Sequence, residues 1–245
     1  MFMKNTFVLI FLAFSTVTFG QWGNTINLSS NITKETRDVT DFTKISATDD
    51  FVVYIKLSNT EDKVEIEANE NLHEYIVVEK EGDVLKLSTK SYSTNSKKGA
   101  DEKLVAHVTA KRLTAISGDG DAEIKIINKI SANSFSIYLD DDAVLKGAIA
   151  VKSLDVDMDD DAELEIEGSA DTVDIDADSD SMIDGYRFVV NDLDIKLDGD
   201  SEARLTVNGK INITTRGDSE FTYKGNGTIE HKKVSGDSEI NHYNR

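Results

Sequence analysis

The sequence predicts an all-β chain: a parallel β-helix of about 19-residue rungs, preceded by an irregular part rich in short strands. Three observations predict it. One short phrase recurs seven times, as in GDGDAEIKI, DDDAELEIEG and SGDSEINHY, and its Asp ahead of a small residue falls at Asp121, Asp142, Asp161, Asp180, Asp200, Asp218 and Asp237. The gaps of 21, 19, 19, 20, 18 and 19 residues are the mark of stacked repeats. Before each Asp the apolar residues alternate with polar ones, as in Leu154/Val156/Met158 and Leu193/Ile195/Leu197, the period of a strand with one buried face. Proline is absent, as suits a chain that is nearly all paired strand, because each proline removes a ladder donor.

In chain order, Met1–Gly20 has a lone Lys4, an apolar run from Phe7 to Phe14 and a small-residue end, the layout of a signal peptide covering 1–20. The run is shorter than the roughly 20 apolar residues of a membrane span, and no later stretch is apolar enough to cross a bilayer. The chain is therefore expected to be exported, to the periplasm, the cell surface or the medium. Residues 21–37 are polar and read as a flexible leader. From 38 to 110, Phe51–Leu57, Lys63–Glu67, Tyr75–Val78, Val84–Leu87 and Leu104–Val108 read as strands, with one helical turn over Asn69–His73. Ser91–Asp101 reads as an exposed, mobile loop.

Residues 111–245 hold the repeat. Each unit reads as strand, acidic corner, strand and a looser turn that often carries glycine (Gly147, Gly168, Gly185, Gly209, Gly225). The residue after each anchor Asp is Ala or Ser, which suits a side chain turned inward at a tight bend. One unit cannot cover its own apolar face, so the units must stack, each rung about 4.8 Å from the next. Antiparallel hairpins of the same period would give a similar pattern. In the last unit Glu230 and Lys232 replace apolar residues, as an end-cap requires if it is to resist edge-to-edge pairing.

The chain resembles the bacterial family called putative auto-transporter adhesin, head GIN domain, over about residues 37–240. The resemblance rests on Arg37-Asp38-Val39-Thr40-Asp41-Phe42-Thr43-Lys44-Ile45, on Glu67-Ala68-Asn69-Glu70-Asn71-Leu72, on Gly82-Asp83-Val84-Leu85-Lys86-Leu87 and on corners such as Ser235-Gly236-Asp237-Ser238. It implies a right-handed β-helix similar in shape to pectin lyases, without their catalytic residues, exported and associated with adhesion. Where this chain carries Asp at its corners, family members usually carry a small residue, so no role for these Asp residues follows from the resemblance.

A formal net charge of −19, one unit more negative without Lys4, excludes the Lys/Arg footprint that nucleic acid requires and argues against docking on anionic lipid. Without cysteine there is no disulfide framework and no thiolate metal site. If rungs stack, Asp142, Asp161, Asp180, Asp200, Asp218 and Asp237 form one file, and Asp140, Asp159, Asp178 and Asp198 a second beside it. Ca²⁺ takes 6–8 oxygen ligands, so weak Ca²⁺ binding along these files is one expectation. The other is that each Asp caps its own corner and faces water. The alternating Asp residues from Asp174 to Asp180 are not an EF-hand loop: counted from Asp176, position six is Ser181 and position twelve Arg187. No catalytic residues are expected. The four histidines lack ligand spacing, and a repeated carboxylate is poor evidence for acid–base chemistry, which needs two groups in different surroundings. Arg216-Gly217-Asp218 spells a cell-adhesion tripeptide but lies within a repeat corner, which accounts for it. The reading is an exported, non-enzymatic protein of adhesion or envelope structure, contacting a surface, glycan or protein ligand. The alternative is a carbohydrate-active β-helix, a lyase or hydrolase, but only Arg187, Arg204 and Arg216 supply arginine between the first and last anchor, Asp121 and Asp237.

Overall fold

The strand Val144–Met158 shows how a rung is built. It leaves one acidic corner, runs 15 residues and enters the next corner, and Glu163–Ala177 repeats the path directly beside it. The structure, a computed structural model, describes residues 24–95 and 100–243. The expected signal peptide lies outside the described residues.

All repeat strands pair in parallel, and in register apart from shifts at Glu165/Glu167, Gly185/Val189 and Ile211/Asn212. Like residues therefore meet in files. Phe135, Leu154, Val173, Leu193 and Ile211 form one buried file, and Ile137, Val156, Ile175, Ile195 and Ile213 another. Across the core stand Ile124, Leu145, Leu164, Ile183, Ala203 and Phe221. Burying each large aliphatic side chain is worth about 1.5–3 kcal/mol, and the files give every rung several. The strands bend twice between corners. One bend lies at Gly168, where φ is +119° and a Cβ would stand 2.0 Å from the Ile149 carbonyl oxygen. The other is marked by two consecutive outward residues, Lys152-Ser153 and then Asp171-Thr172, and was not anticipated.

The stack begins earlier in the chain than the repeat does. Lys44–Ala47 pairs in parallel with Ala115–Gly118, and Val52–Leu57 with Glu123–Ile126, so residues 44–57 form a rung of their own. Beneath it lie Val84–Thr89 and Leu104–Ala110, again parallel. Antiparallel strands close this end: Lys63–Asn69 on Leu104–Ala110, Ile32–Arg37 on Lys63–Asn69, and Ile76–Glu81 on Val84–Thr89. One hydrophobic core runs from Leu28 to Tyr223, across the N-terminal strands and the repeat alike.

Two expectations need correction. The stretch 21–37 is not a flexible leader where it is described: Asn24–Ile26 and Ile32–Arg37 are strands, because their backbone groups complete the edges of neighbouring strands. Within Ser91–Asp101, Tyr92–Thr94 is a strand paired with Asn24–Ile26. The five N-terminal strands stand where expected, and Glu70–Leu72 is a 3₁₀ turn. At the far end, Thr228–Val234 is exposed at every position except Ile229 and shifts register so that Glu230 is unpaired. Lys232 stands opposite the buried Ile213, and a bulge with an inward-column charge is a known protection of a sheet edge.

Candidate functional site: a file of acidic corners

Eight corners stack on one edge of the rod. Each has a strand-end residue, a residue with left-handed backbone, an anchor Asp and an inward residue. The left-handed column is Asp49, Gly120, Asp141, Asp160, Ser179, Gly199, Gly217 and Gly236, with φ between 55° and 80°. Only Gly reaches this region freely; Asp pays less than most residues because its short side chain can bond locally. In the strand-end column Asp140, Asp159, Asp178 and Asp198 each accept the N–H of the following residue, at 3.0, 2.9, 2.7 and 3.1 Å. These Asp residues therefore cap their corners.

The inward column is Phe51, Ala122, Ala143, Ala162, Ser181, Ser201, Ser219 and Ser238. Ser181, Ser201 and Ser219 are buried, and their hydroxyls donate back across the corner to the carbonyls of Asp178 (2.6 Å), Asp198 (2.8 Å) and Arg216 (3.1 Å). Phe51 is fully buried where later rungs carry a small residue. The strands beneath it, Val84–Thr89 and Leu104–Ala110, are not joined by a short corner of this kind.

From Asp180 onward the corners are knitted together: the N–H groups of Asp180, Asp200, Asp218 and Asp237 donate to Asp160, Ser179, Gly199 and Gly217 of the preceding corners. This close approach explains the glycines. A Cβ at Gly199, Gly217 or Gly236 would meet the preceding carbonyl oxygen at 2.7, 2.5 or 2.3 Å, whereas at Gly120 the nearest atom is 3.4 Å away. The Gly217 of Arg216-Gly217-Asp218 is thus the left-handed residue of its rung, and Arg216 pairs with Asp198 of the rung before at 3.3 Å.

Both predicted Asp files are neighbours in the stack, since the strands flanking them are in register. Asp121, Asp142, Asp161 and Asp180 line a shallow cleft of about 430 Å³ together with Asp141 and Asp160. One group of three carboxylates joins a member of the second file to two residues outside both files: Asp140, Asp141 and Asp160 bring ligand oxygens within 4.8 Å of one another. Asp141 and Asp160 were missed as candidates, although the triplets 140–142 and 159–161 spell them out. Crowding registers in their acidities. Asp160 is held above the ordinary carboxylate value mainly by Asp159, and Asp119 by burial with Asp141 and Asp140 beside it.

The two broad faces differ in charge. On one, Asp155, Asp157, Asp174, Asp176 and Asp194 point outward in adjacent files; burial and then mutual repulsion raise Asp157 and Asp174. Lys196 offsets part of this by pairing with Asp176 at 2.7 Å. On the other face the charges compensate, with Lys146 between Glu163 and Glu165 and Arg187 between Glu165 and Glu167.

An all-β rod of in-register rungs with a turn-rich edge is the class this geometry defines. Among solved structures it is similar to a protein described as a putative adhesin from Bacteroides fragilis (TM-score 0.80, 21% identity, 90% of this chain and 100% of that one). It is also similar to one so described from Parabacteroides merdae (TM-score 0.70, 18% identity, 90% and 100%). A third, from Parabacteroides distasonis and described as a putative lipid binding protein, has a TM-score of 0.69 at 18% identity with the same coverage. At such identities the likeness is one of fold. No curated protein matches the chain closely enough to count as a relative. The family model "Putative auto-transporter adhesin, head GIN domain" matches residues 41–227, and the chain belongs to that family. Its first matched residues are those of the first rung of the stack, Lys44–Leu57, rather than of the acidic repeat.

Proposed function

We propose that this chain is an exported, non-enzymatic β-helix protein that acts by surface contact, in adhesion or in envelope or matrix structure. The observation that carries the reading is the repetition itself. Outward polar residues recur from rung to rung, as Asp155, Asp174 and Asp194 do along one face, which suits an extended contact surface rather than a single reaction centre. The family's description points the same way. Beads coated with the purified chain should adhere to bacterial or host-matrix surfaces above uncoated beads; equal adherence of both would remove the reading.

The acidic corners supply a second element. The close trio Asp140, Asp141 and Asp160, within the larger ladder of corner carboxylates, favours weak Ca²⁺ binding of the millimolar kind found in extracellular modules. Millimolar Ca²⁺ should raise the thermal midpoint of the wild-type chain and raise it less in Asp141→Asn/Asp160→Asn. An unchanged wild-type midpoint would remove the metal.

A further inference from the structure

The first rung carries a feature that no later rung repeats. In the neighbour below, residues 102–105 lead into and begin the strand Leu104–Ala110 and form a wall beside Val52 and Tyr54. Between them lies a cleft of about 440 Å³, within the 300–1,000 Å³ of small-ligand sites. Asp50, Glu102 and Glu123 stand along it with Lys103 and Lys125, over a floor of Val52 and Leu104. A second hollow of about 330 Å³, lined by Thr89, Ser91 and Tyr92, shares Asp50 and Glu102 with the first and extends it toward the acidic corners.

The polar groups of the cleft are held in place by neighbours. The Tyr92 hydroxyl donates to Glu102, Lys103 pairs with Glu67 at 3.2 Å, and Lys125 with Glu123 at 2.7 Å. Tyr54 is fixed by His107 stacked on it at 5.4 Å and by the Lys125 ammonium 5.6 Å from its ring centre. An anionic ligand would meet three carboxylates, and a cationic one two ammonium groups. A neutral molecule rich in hydroxyls avoids both penalties, because each hydroxyl donates to a carboxylate and accepts from an ammonium group. Its C–H faces would lie on Val52, Leu104 and the edge of Tyr54.

We propose that this cleft is a binding site for a neutral oligosaccharide, with Asp50 and Glu102 accepting from its hydroxyls, Lys103 and Lys125 donating to its oxygens, and Val52–Tyr54 carrying its apolar face. The proposal deepens the surface-contact reading and rests on it, by giving that contact a carbohydrate ligand.

The test is calorimetric titration of the full chain with maltohexaose, cellohexaose, a mannohexaose and N-acetylchitohexaose, with hexagalacturonate as the anionic comparison. Wild type, Glu102→Gln and Lys125→Ala are compared, with Asp194→Asn on the opposite face as control. The expected result is saturable binding of at least one neutral hexasaccharide. Each cleft variant should weaken it about tenfold or more, the size of a lost hydrogen bond to a charged group, and the control should leave it unchanged. Absence of binding to every neutral sugar, binding of the anionic one alone, or equal binding by the cleft variants overturns the proposal. Bead adherence measured on the same proteins separates the two ideas. Adherent beads without sugar binding overturn the cleft while sparing surface contact; sugar binding without adherence supports the cleft and removes the broader role.

Discussion

Ser201 and Ala162 occupy the same place two turns apart in the rod, yet only the serine bonds across its corner. Ser201→Ala should therefore cost about 0.5–1.5 kcal/mol, the net worth of one hydrogen bond, read by chemical denaturation. The left-handed column gives an opposed pair. Asp141 holds φ 55° with a β-carbon among crowded carboxylates, so Asp141→Gly should stabilise the chain by about 0.5–1 kcal/mol after the entropic cost of glycine. Gly217→Ala should instead cost about 2 kcal/mol or more, because its new β-carbon would meet the Gly199 carbonyl oxygen at 2.5 Å. If Gly217→Ala is as stable as wild type, the corners are not in the close contact described. The column was readable only in part: glycine at 199, 217 and 236 marks positive φ, but nothing in Asp-Asp-Asp says which carboxylate takes the strained position.

Opposite acidities distinguish the elements at the two ends. In the antiparallel cap, Glu67 joins three strands through Lys34, Lys103 and His107, and these partners pull its carboxyl down to about 2 against the opposing effect of its burial. A lowered carboxylate stabilises above its unfolded value of 4.5, and that support is lost as pH falls toward 2. Asp119, Asp157, Asp160 and Asp174 in the stack are raised instead, so their contribution is present below the ordinary 3.8 and lost as pH climbs through their folded values. As pH falls from neutral toward 3.8 the stack should gain protection, whereas the cap loses its own as pH falls from 4.5 toward 2, so in acid the cap should open first. Hydrogen exchange of Ile32–Arg37 against Glu163–Ala177 across that range checks this, and uniform exchange at both would contradict it. The stack was legible in sequence because one period of alternation recurs with a constant corner. The cap was not, because pairing between Ile32–Arg37 and Lys63–Asn69 leaves no local mark, and polar residues 21–37 carry no apolar face to betray a strand.

For the whole molecule, the first rung shows why chain order and spatial order part company. Thr48-Asp49-Asp50-Phe51 is a corner like the others, but 71 residues separate Asp50 from Asp121 and Phe51 breaks the small-residue column, so a search for a 19-residue period passes over it. The oligosaccharide cleft escaped for the same reason: Asp50, Glu102 and Lys125 meet only because that rung is inserted between strands distant in sequence. The fold and its acidic edge rest on a single file of corners whose members are one rung apart. The chain has no native cysteine, so paired spin labels at Asp121→Cys and Asp218→Cys, and at Asp50→Cys and Asp218→Cys, can be placed without background. Electron–electron distance measurements should give one narrow separation of about 24 Å for the first pair, five rungs apart, and about 29 Å for the second, six rungs apart. A shorter or broad distribution for the 50–218 pair, or a 121–218 distance that does not match five rung spacings, would contradict the stacked order from which the corners, the faces and the cleft all follow.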